Sequence, residues 1–487
     1  MTTLTLKPGT STGIQKALAK TGTLNGVPLQ YDQIHFTKGT YTINSLMYLN
    51  SNTKLTCDSG VIWKLADNCI NFGEQVPILG QKEESIKGLD ISGIEYNGNY
   101  SKQLKTPDDH GIGFGNFIGL KNVSDSVFHQ MYIHDTEGDG FRIENGTNLD
   151  FAYNRGSMGG HDFYHLFKCS NVQFYNNLVD MRANNAIRVR SSNNIYIYDN
   201  VINGTTLAYA PAIQLENIVA SCTSSNIYIF NNLIKGTLGP AIWMTGQGIK
   251  DTNAAKNVLI SNNLILNCGK MPAATKKSGV GGIVLDGWDN VRIEYNTIDG
   301  CFGYGIMIGE YIGTSSGTGY KAVIRRNIIT NTKPALYKGN ASGTGICNLL
   351  DSKFIIEADC NCVWNNAALA RYMVNDDNAI DKDPCYAGSG NYHLKSIGGH
   401  YPNIIDDVSS PCVFEEYELG RYDNTKEASV YCPPPSNLTP DEIIGDSAAV
   451  IILCSSRNDA IALSKALNDS EYLETGQEAM FYLPKDK

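Results

Sequence analysis

Apolar and polar positions alternate in short runs through the middle of the chain, and the runs recur in a fixed order. In each unit a short alternating strand leads to a turn, a second alternating strand, an asparagine and a third apolar pair, as in IRVRSSNNIYIYDNVI at residues 187–202. Alternation with a period of two predicts strands in which every second side chain faces the core. Three short strands per repeated unit therefore predict a solenoid of stacked coils.

The asparagine before the third strand marks the period. It recurs at spacings of 23, 23, 32, 31, 33 and 31 residues, at Asn154, Asn177, Asn200, Asn232, Asn263, Asn296 and Asn327. A unit of 23 residues thus acquires loops of about eight to ten residues in later coils. The pattern predicts an all-β fold, a single-stranded right-handed parallel β-helix in which equivalent asparagines stack as a hydrogen-bonded ladder. The units lack the leucine spacing of leucine-rich repeats, and a propeller blade would need about 40 residues and four strands.

The two ends of the chain differ from the repeats. The segment GIQKALAK, residues 13–20, has helical spacing and is predicted to be a capping helix over the open N-terminal coil. After CPPPSNLTPDE, a predicted strand (AAVIILCSS) and helix (RNDAIALSKALN) suggest a small C-terminal α/β appendage. We therefore predict an N-terminal cap and first coils at 1–75, a β-helix with the binding or catalytic surface at 76–403, and a C-terminal tail at 404–487 with a possible role in oligomerisation.

Composition narrows the classes of function. The chain has 48 glycines, 16 prolines and 18% charged residues, which suits a β-rich protein. A net charge of -10 without a basic tract argues against binding nucleic acid. No charged segment followed by an apolar run opens the chain, and no stretch of about 18 apolar residues occurs, so we predict neither a signal peptide nor a membrane span.

The thirteen cysteines show no paired CxxC spacing. Most are expected to be small buried hydrophobic residues within strands. Cys360 and Cys362 form a CxC with no histidine nearby, which is a poor zinc site. Disulfide candidates lie in the loop-rich C-terminal part, at Cys385, Cys412 and Cys432.

Coil stacking converts the repeat into a surface grid. Within AIRVR the side chains of Arg188 and Arg190 face outward. The position of Arg188 is shared in other coils by Arg142, His165, Gln214, Trp243, Val284 and Met307. The position of Arg190 is shared by Glu144, Phe167, Glu216, Thr245, Asp286 and Gly309. Adjacent coils are roughly 4.8 Å apart, so Arg142, His165 and Arg188, which belong to three consecutive coils, fall within about 10 Å of one another.

This grid supplies the candidate site. A column of arginine, histidine and arginine is unfavourable without an anionic partner, because like charges repel. At the turn into the same strand lie Asp139, Asp162 and Asn185, with His161 beside Asp162. The expected catalytic residues are His165, Arg188, Asp162, Arg142 and Asp139. The expected substrate-binding residues are Arg190, Glu216, His161, Gln214, Trp243, Asp286 and Trp288.

Other residues on the grid have weaker expectations. Trp243 and Trp288, together with Tyr311, resemble a strip on which sugar rings stack. His129 and His134 lie on other strands and are expected to be structural, whereas His110 could reach the site from its loop. We expect no cofactor; calcium could bind the acidic loops, although no EF-hand-like spacing supports it.

From about residue 159 to 400 the chain resembles the disaggregatase and disaggregatase-related family of methanogenic archaea. The resemblance rests on GGHDFYHLFKCSNVQFYNN, NAIRVRSSNNIYIYDNVI, GPAIWMTGQG, GGIVLDGWDNVRIEYNTIDG, GTGYKAVIRRNII and DPCYAGSGNYHLKS. It implies a parallel β-helix that acts on methanochondroitin, the uronic-acid-containing polysaccharide that holds methanosarcina cells in aggregates. Arginines would bind its carboxylates in bidentate fashion. The tail after about residue 410 departs from the family.

Two chemistries remain open for such a substrate. In β-elimination an arginine neutralises the C6 carboxylate while His165 or an arginine removes the C5 proton. Hydrolysis needs two carboxyl groups about 5 to 9.5 Å apart, for which Asp139 with Asp162, or Asp162 with Glu216, are candidates. The expected partner is an acidic polysaccharide outside the cell, at a cell or virion surface. The alternative is a non-catalytic adhesin or a viral tailspike, trimeric in the latter case.

Overall fold

The alternating segments form strands that pair in parallel from one coil to the next. Each coil contributes one strand to each of three sheets, which we call A, B and C, and the chain passes through them in the order C, A, B. The computed structural model thus confirms an all-β, right-handed parallel β-helix. It describes residues 2–69, 76–103, 115–157, 159–181, 183–204, 210–218, 223–245, 256–270, 281–309, 319–337, 340–349, 354–367, 374–376, 378–384, 386–388, 391–394, 451–453 and 480–482.

Sheet A has fourteen strands: Thr3–Leu6, Gln33–Phe36, Lys54–Cys57, Ile86–Lys87, Asp90–Ser92, Val123–His129, Thr147–Ala152, Ser170–Tyr175, Asn193–Tyr198, Ser225–Phe230, Lys256–Ser261, Asp289–Glu294, Tyr320–Arg325 and Phe354–Asp359. Sheet B has twelve: Gly39–Ile43, Val61–Leu65, Glu95–Asn97, Tyr132–His134, Arg155–Ser157, Leu178–Asp180, Val201–Asn203, Leu233–Lys235, Leu264–Leu266, Thr297–Asp299, Ile328–Thr330 and Cys362–Trp364. Sheet C has eleven: Met47–Leu49, Pro77–Gln81, Asn116–Lys121, Phe141–Glu144, Tyr164–Phe167, Ile187–Arg190, Ile213–Glu216, Ile242–Thr245, Ile283–Asp286, Tyr304–Ile308 and Thr344–Asn348.

Four short strand pairs lie outside these sheets. Three are antiparallel: Thr23–Leu24 with Val27–Pro28, Ala335–Tyr337 with Asn340–Ser342, and Tyr386–Gly388 with Asn391–Leu394. The fourth, Ile451–Leu453 with Met480–Tyr482, is parallel and lies in the predicted C-terminal appendage. The helix predicted there, at 457–468, lies outside the described residues, and the division into three segments stays a prediction.

Inward-facing side chains of successive coils stack along the axis to form the core. Phe128, Phe151 and Phe174 stack with ring centroids 5.2 and 5.0 Å apart, and the same column continues through Ile197 and Ile229. All five are fully buried. Each such aliphatic or aromatic side chain contributes about 1.5 to 3 kcal/mol by burial, so the stack holds the coils in register.

The predicted asparagine ladder is confirmed. The side-chain oxygen of Asn232 accepts hydrogen bonds from the backbone N–H of Asn200 at 3.1 Å and from its side-chain amide at 3.0 Å, and the amide of Asn200 also donates to the carbonyl of Phe174. The same pattern extends to Asn361. Residues that precede ladder asparagines, such as Asn176 and Asp199, adopt positive φ angles of 54°. Asparagine and aspartate tolerate this region best, which explains the paired asparagines of the sequence.

A short helix, Ser11–Leu18, packs on the first coils. Its Ile14, Ala17 and Leu18 are buried, and Gln15 accepts a hydrogen bond from the backbone of Tyr48 at 2.7 Å. The predicted capping helix therefore exists, beginning two residues earlier than its sequence pattern suggested. No helix in the described ranges is long and apolar enough to cross a membrane.

The cysteines largely follow their prediction. Among the described residues, five cysteines are buried, namely Cys169, Cys268, Cys301, Cys347 and Cys362. Cys360 is disulfide-bonded. The predicted disulfide residues Cys385, Cys412 and Cys432 lie outside the described residues.

Candidate functional site

The outward columns of sheet C have the predicted register. Arg142, His165 and Arg188 are paired in consecutive coils, and the column continues through Gln214 and Trp243. The neighbouring column runs from Glu144 through Phe167, Arg190, Glu216 and Thr245 to Asp286. The residues predicted to share one face therefore do share it.

A second side-chain ladder lies at the turn into this sheet. Asn116, Asp139 and Asp162 each accept, through Oδ1, the backbone N–H of the equivalent residue one coil later, at 2.8, 3.0 and 3.1 Å; the last donor is Asn185. The ladder needs only this acceptor oxygen. In the two middle rungs a carboxylate therefore leaves a second, charged oxygen available for other partners, and both aspartates are fully buried.

Those second oxygens face the Arg142–His165 column. Arg142 donates from Nη1 to Asp139 Oδ2 at 2.8 Å, and the same nitrogen lies 3.4 Å from His165 Nδ1. His165 Nδ1 lies 3.0 Å from Asp162 Oδ2. The two buried carboxylates thus fix the orientation of both side chains.

His161 lies behind this pair. Its Nδ1 is 2.5 Å from Asp139 Oδ1 and 3.4 Å from Asp162 Oδ2, and its Nε2 contacts the amide of Asn184 at 3.2 Å. Its contacts are therefore with protein groups. His161 holds the two aspartates in this arrangement, and its role in binding substrate stays a prediction.

Arg188 and Arg190 converge on Glu216. Arg188 donates from Nε and Nη2 to the two oxygens of Glu216 at 3.2 and 2.9 Å, and Arg190 Nε lies 2.7 Å from Oε2. Gln214 also donates to Glu216, at 2.6 Å. The bidentate fork of Arg188 is thus occupied by a protein carboxylate, and its role as a clamp for a ligand stays a prediction. Glu216 and Gln214, both buried, position the arginines and do not offer a surface for a substrate.

The charges of this cluster stabilise one another. Burial alone would raise the pKa of the Asp162 carboxyl, but His161, Arg188 and His165 outweigh it and hold that pKa below its ordinary value. Burial would lower the pKa of His161, yet the carboxylates of Asp162 and Asp139 raise it. Burial likewise opposes the charged form of Arg188, but Asp162 and Glu216 raise its pKa. For Arg190 burial prevails over Glu216 and lowers the pKa.

A cavity of about 730 Å³ opens beside the column. It is lined by Arg142, His165 and Arg190, and by Lys121, Glu144, Phe167 and residues of earlier coils that include Tyr48, Pro77, Gly80 and Gly119. Gly119 is paired with Arg142, and Gly80 with Tyr48. The side chain of Pro77 packs over both glycines, and all three residues line the cavity. The cavity therefore extends from the site toward the N-terminal coils.

The predicted sugar-stacking strip of tryptophans, in the coils that follow the cavity toward the C-terminus, is wrong. Trp288 is fully buried in the main hydrophobic core, because Gly287 has a φ of 71° and the chain turns the next side chain inward. Trp243 faces outward but is only 3% exposed, packed with Val284, Tyr304 and Met307. Asp286 is also buried. None of the three presents a surface to a ligand, and Tyr311 lies outside the described residues.

Sequence reasoning missed the upstream part of the site. Asn116, Gly119 and Lys121 lie 23 residues before Asp139, Arg142 and Glu144, so the basic spacing of the repeat could have found them. The signal was hidden because this coil has Met131 at the position of the ladder asparagine. Lys121 forms an ion pair with Glu144 at 3.1 Å and is largely exposed.

The other histidines behave as expected where they are described. His129 lies on sheet A, 3.0 Å from Asp90. His134 lies on sheet B, within 2.7 Å of Asp135. Both contact carboxylates away from the cavity lining, and His110 lies outside the described residues.

Part of the chain is similar to a known protein family. Residues 224–415 match the family described as disaggregatase related. The match covers 192 of the 487 residues, and over them the chain is similar to this family. The resemblance seen in the sequence is thereby confirmed, while the column of Arg142, His165 and Arg188 lies before the matched segment of the disaggregatase-related family.

Solved structures with a similar fold were also found. The A-module of the Azotobacter vinelandii mannuronan C-5 epimerase AlgE4 has a TM-score of 0.52 at 14% identity, covering 76% of this chain and 95% of that one. Endopolygalacturonase I from Stereum purpureum has a TM-score of 0.46 at 13% identity, covering 78% and 98%. The AlgE4 match agrees with the β-helix fold. No curated protein sequence matches this chain significantly.

Proposed function

We propose that the cavity binds an acidic, uronic-acid-containing cell-surface polysaccharide such as methanochondroitin and cleaves its glycosidic bonds. The observation that carries the proposal is the convergence of Arg142, His165 and Arg190 on one open cavity. Arginine suits carboxylate binding because its planar fork matches the carboxylate oxygens. The similarity of residues 224–415 to the disaggregatase-related family supports the same class of substrate, and a protein acting on such a substrate is expected to work outside the cell.

The arrangement favours β-elimination over hydrolysis. Asp162 lies against Nδ1 of His165, so Nε2 is the nitrogen left for the cavity and can accept the C5 proton of a uronate. The electrons of that C–H bond form the C4–C5 double bond, the C4–O bond breaks, and the imidazolium returns the proton to the departing oxygen. Arg142 neutralises the carboxylate whose charge grows as the proton leaves.

Hydrolysis by the predicted carboxyl pairs has less support. Asp139 and Asp162 are fully buried and bound by basic groups, and Glu216 is held by Arg188 and Arg190. The depressed pKa of Asp162 leaves it ionised and without a proton to give to a leaving group. Neither pair thus offers both an acid and an accessible second carboxylate.

The proposal is tested by comparing an acidic polysaccharide with its carboxyl-reduced form. The full chain is incubated with methanochondroitin, chondroitin or polygalacturonate and with each reduced polymer, and chain length and new reducing ends are followed. We expect at least one acidic polymer to be shortened while its reduced form is not. Equal cleavage of the acidic polymer and its carboxyl-reduced form would contradict the proposed role of the arginines in binding carboxylates. Binding of the polymer without shortening would support the adhesin alternative.

Replacing Phe167 and replacing Trp288 are expected to affect different properties, the first polysaccharide binding and the second stability. Phe167 lines the cavity and offers a face for a sugar ring, so Phe167→Ala is expected to weaken polysaccharide binding about tenfold with little change in stability. Trp288→Ala, in the core, should lower the free energy of unfolding by about 3 to 5 kcal/mol and leave affinity unchanged in the folded fraction. Urea denaturation and a binding isotherm measure the two quantities. If Trp288→Ala weakened binding and Phe167→Ala lowered stability instead, Trp288 would belong to the binding surface.

A further inference from the structure

Four side chains of the types that can ligate metals lie close together beside the cavity. One potential ligand atom from each of Asp139, His161, Asp162 and His165 lies within 4.8 Å of the other three. Asp162 Oδ2 is 3.4 Å from Nδ1 of His161 and 3.0 Å from Nδ1 of His165. The Nδ1 atoms of the two imidazoles therefore lie close to one carboxylate oxygen, Asp162 Oδ2.

That oxygen provides a second, independent observation. Asp162 is fully buried, and its Oδ1 accepts the N–H of Asn185. Its Oδ2 has His165 Nδ1 at 3.0 Å, His161 Nδ1 at 3.4 Å and Arg188 Nη1 at 3.6 Å, but none of the described residues donates a well-aligned hydrogen bond to it. A buried carboxylate oxygen without a well-aligned donor is rare, because desolvating it is costly. Its position between two imidazole nitrogens is the one that a bound cation would satisfy.

We propose that these four residues bind one divalent transition-metal ion of the zinc type. Two imidazole nitrogens and two carboxylate oxygens are a ligand set that suits zinc, whereas calcium requires six to eight oxygen ligands. The surroundings fit as well, because Arg142 hydrogen-bonds to Asp139 and the amide of Asn184 contacts the outer nitrogen of His161. Such partners orient ligands in metal sites.

The positive charges nearby are accommodated. Arg188 is held by its bidentate contact with Glu216, and its Nη1 lies 3.6 Å from Asp162 Oδ2, farther than either imidazole nitrogen. The side chain of Arg142 is 26% exposed and lines the cavity, so it can move away from the ion. The two aspartates balance the charge of a divalent ion.

The ion and the proposed proton transfer exclude each other, and this part of the inference rests on the proposed function. A metal on Nδ1 of His165 requires the proton of the neutral ring to sit on Nε2. Nε2 then donates and cannot accept the C5 proton. The metal-loaded protein is therefore inactive in cleavage, and removal of the ion restores activity.

The test begins with binding. The full chain is treated with a chelator, desalted and titrated with zinc chloride by calorimetry, and a cobalt(II) sample is examined by visible spectroscopy. We expect one zinc ion per chain and the absorption bands of four-coordinate cobalt in the wild-type protein. His161→Gln and Asp162→Asn should each weaken zinc binding about 100-fold. His129→Gln, which removes a surface histidine paired with Asp90, is the matched control and should bind zinc normally.

The outcomes separate the two proposals. No stoichiometric zinc, six-coordinate cobalt, or unchanged affinity in both ligand variants would overturn the metal site, and the wild-type spectrum decides even if a variant fails to fold. Stoichiometric binding without cleavage in either form supports the metal site and defeats the proposed function. Cleavage that stops with zinc and returns with chelator supports both, whereas cleavage accelerated by zinc would overturn the mutual exclusion.

Discussion

Replacing His165 with alanine is expected to lower turnover of the acidic polysaccharide about 10³-fold, because His165 is the proposed general base for the C5 proton. His165 is only 2% exposed, so its removal should change polysaccharide affinity little. Initial rates at saturating polysaccharide, measured in the presence of a chelator, give the effect on turnover, and the concentration dependence gives the effect on binding.

The control for this change is His129→Ala on sheet A, which should keep full turnover. If His165→Ala retained more than about a tenth of the wild-type turnover, general-base catalysis by this residue would be ruled out, since such catalysis contributes about 10² to 10⁴-fold. The cavity would then need a different base.

Replacing Asn232 with alanine is expected to have the largest effect on stability. Its amide donates to the carbonyl of Ile197 and to Asn263, and its oxygen serves both the backbone and the side chain of Asn200. Alanine leaves several buried polar groups unsatisfied, each at a cost of about 1 to 3 kcal/mol. We expect a loss of about 3 to 5 kcal/mol in the free energy of unfolding, measured by urea denaturation.

A matched control lies in another row of stacked asparagines, on the strands of sheet A, where Asn226 donates to Asn194 and accepts from Asn257. Asn226 bonds to Asn194 at 3.0 Å, is part-buried and has a φ of 55°. Asn226→Gly keeps this backbone conformation accessible and should cost only about 1 kcal/mol. Equal losses for the two variants would mean that the buried ladder has no special part in holding the coils together.

The sequence was sufficient for the fold and for the register of the site because both depend on a repeat. Asn154 and its equivalents define each coil, and once the coils are aligned the outward neighbours of Arg188 follow without further information. The pairings of His165 with Arg142 and Arg188 could therefore be written down from spacing alone.

The contacts within the site could not be predicted in the same way. The strand register places Gln214 beside Arg188, but the side chain of Arg188 reaches diagonally to Glu216. The guanidinium of Arg188 is therefore already bound to a carboxylate of the protein. The direction of Trp288 depends on the positive φ of Gly287, which breaks the alternation. The upstream half of the cavity was hidden because Met131 replaces the asparagine that marks a coil.

The central claim is that the cavity at Arg142 and His165 cleaves an acidic polysaccharide by β-elimination. Mass spectrometry of the oligosaccharides released by the wild-type protein tests it most directly. Elimination predicts products whose new non-reducing ends are lighter by one water than the intact sugar, and such products should be absent with His165→Ala. Products that carry an added water at every cleaved bond would contradict the account and identify the protein as a hydrolase.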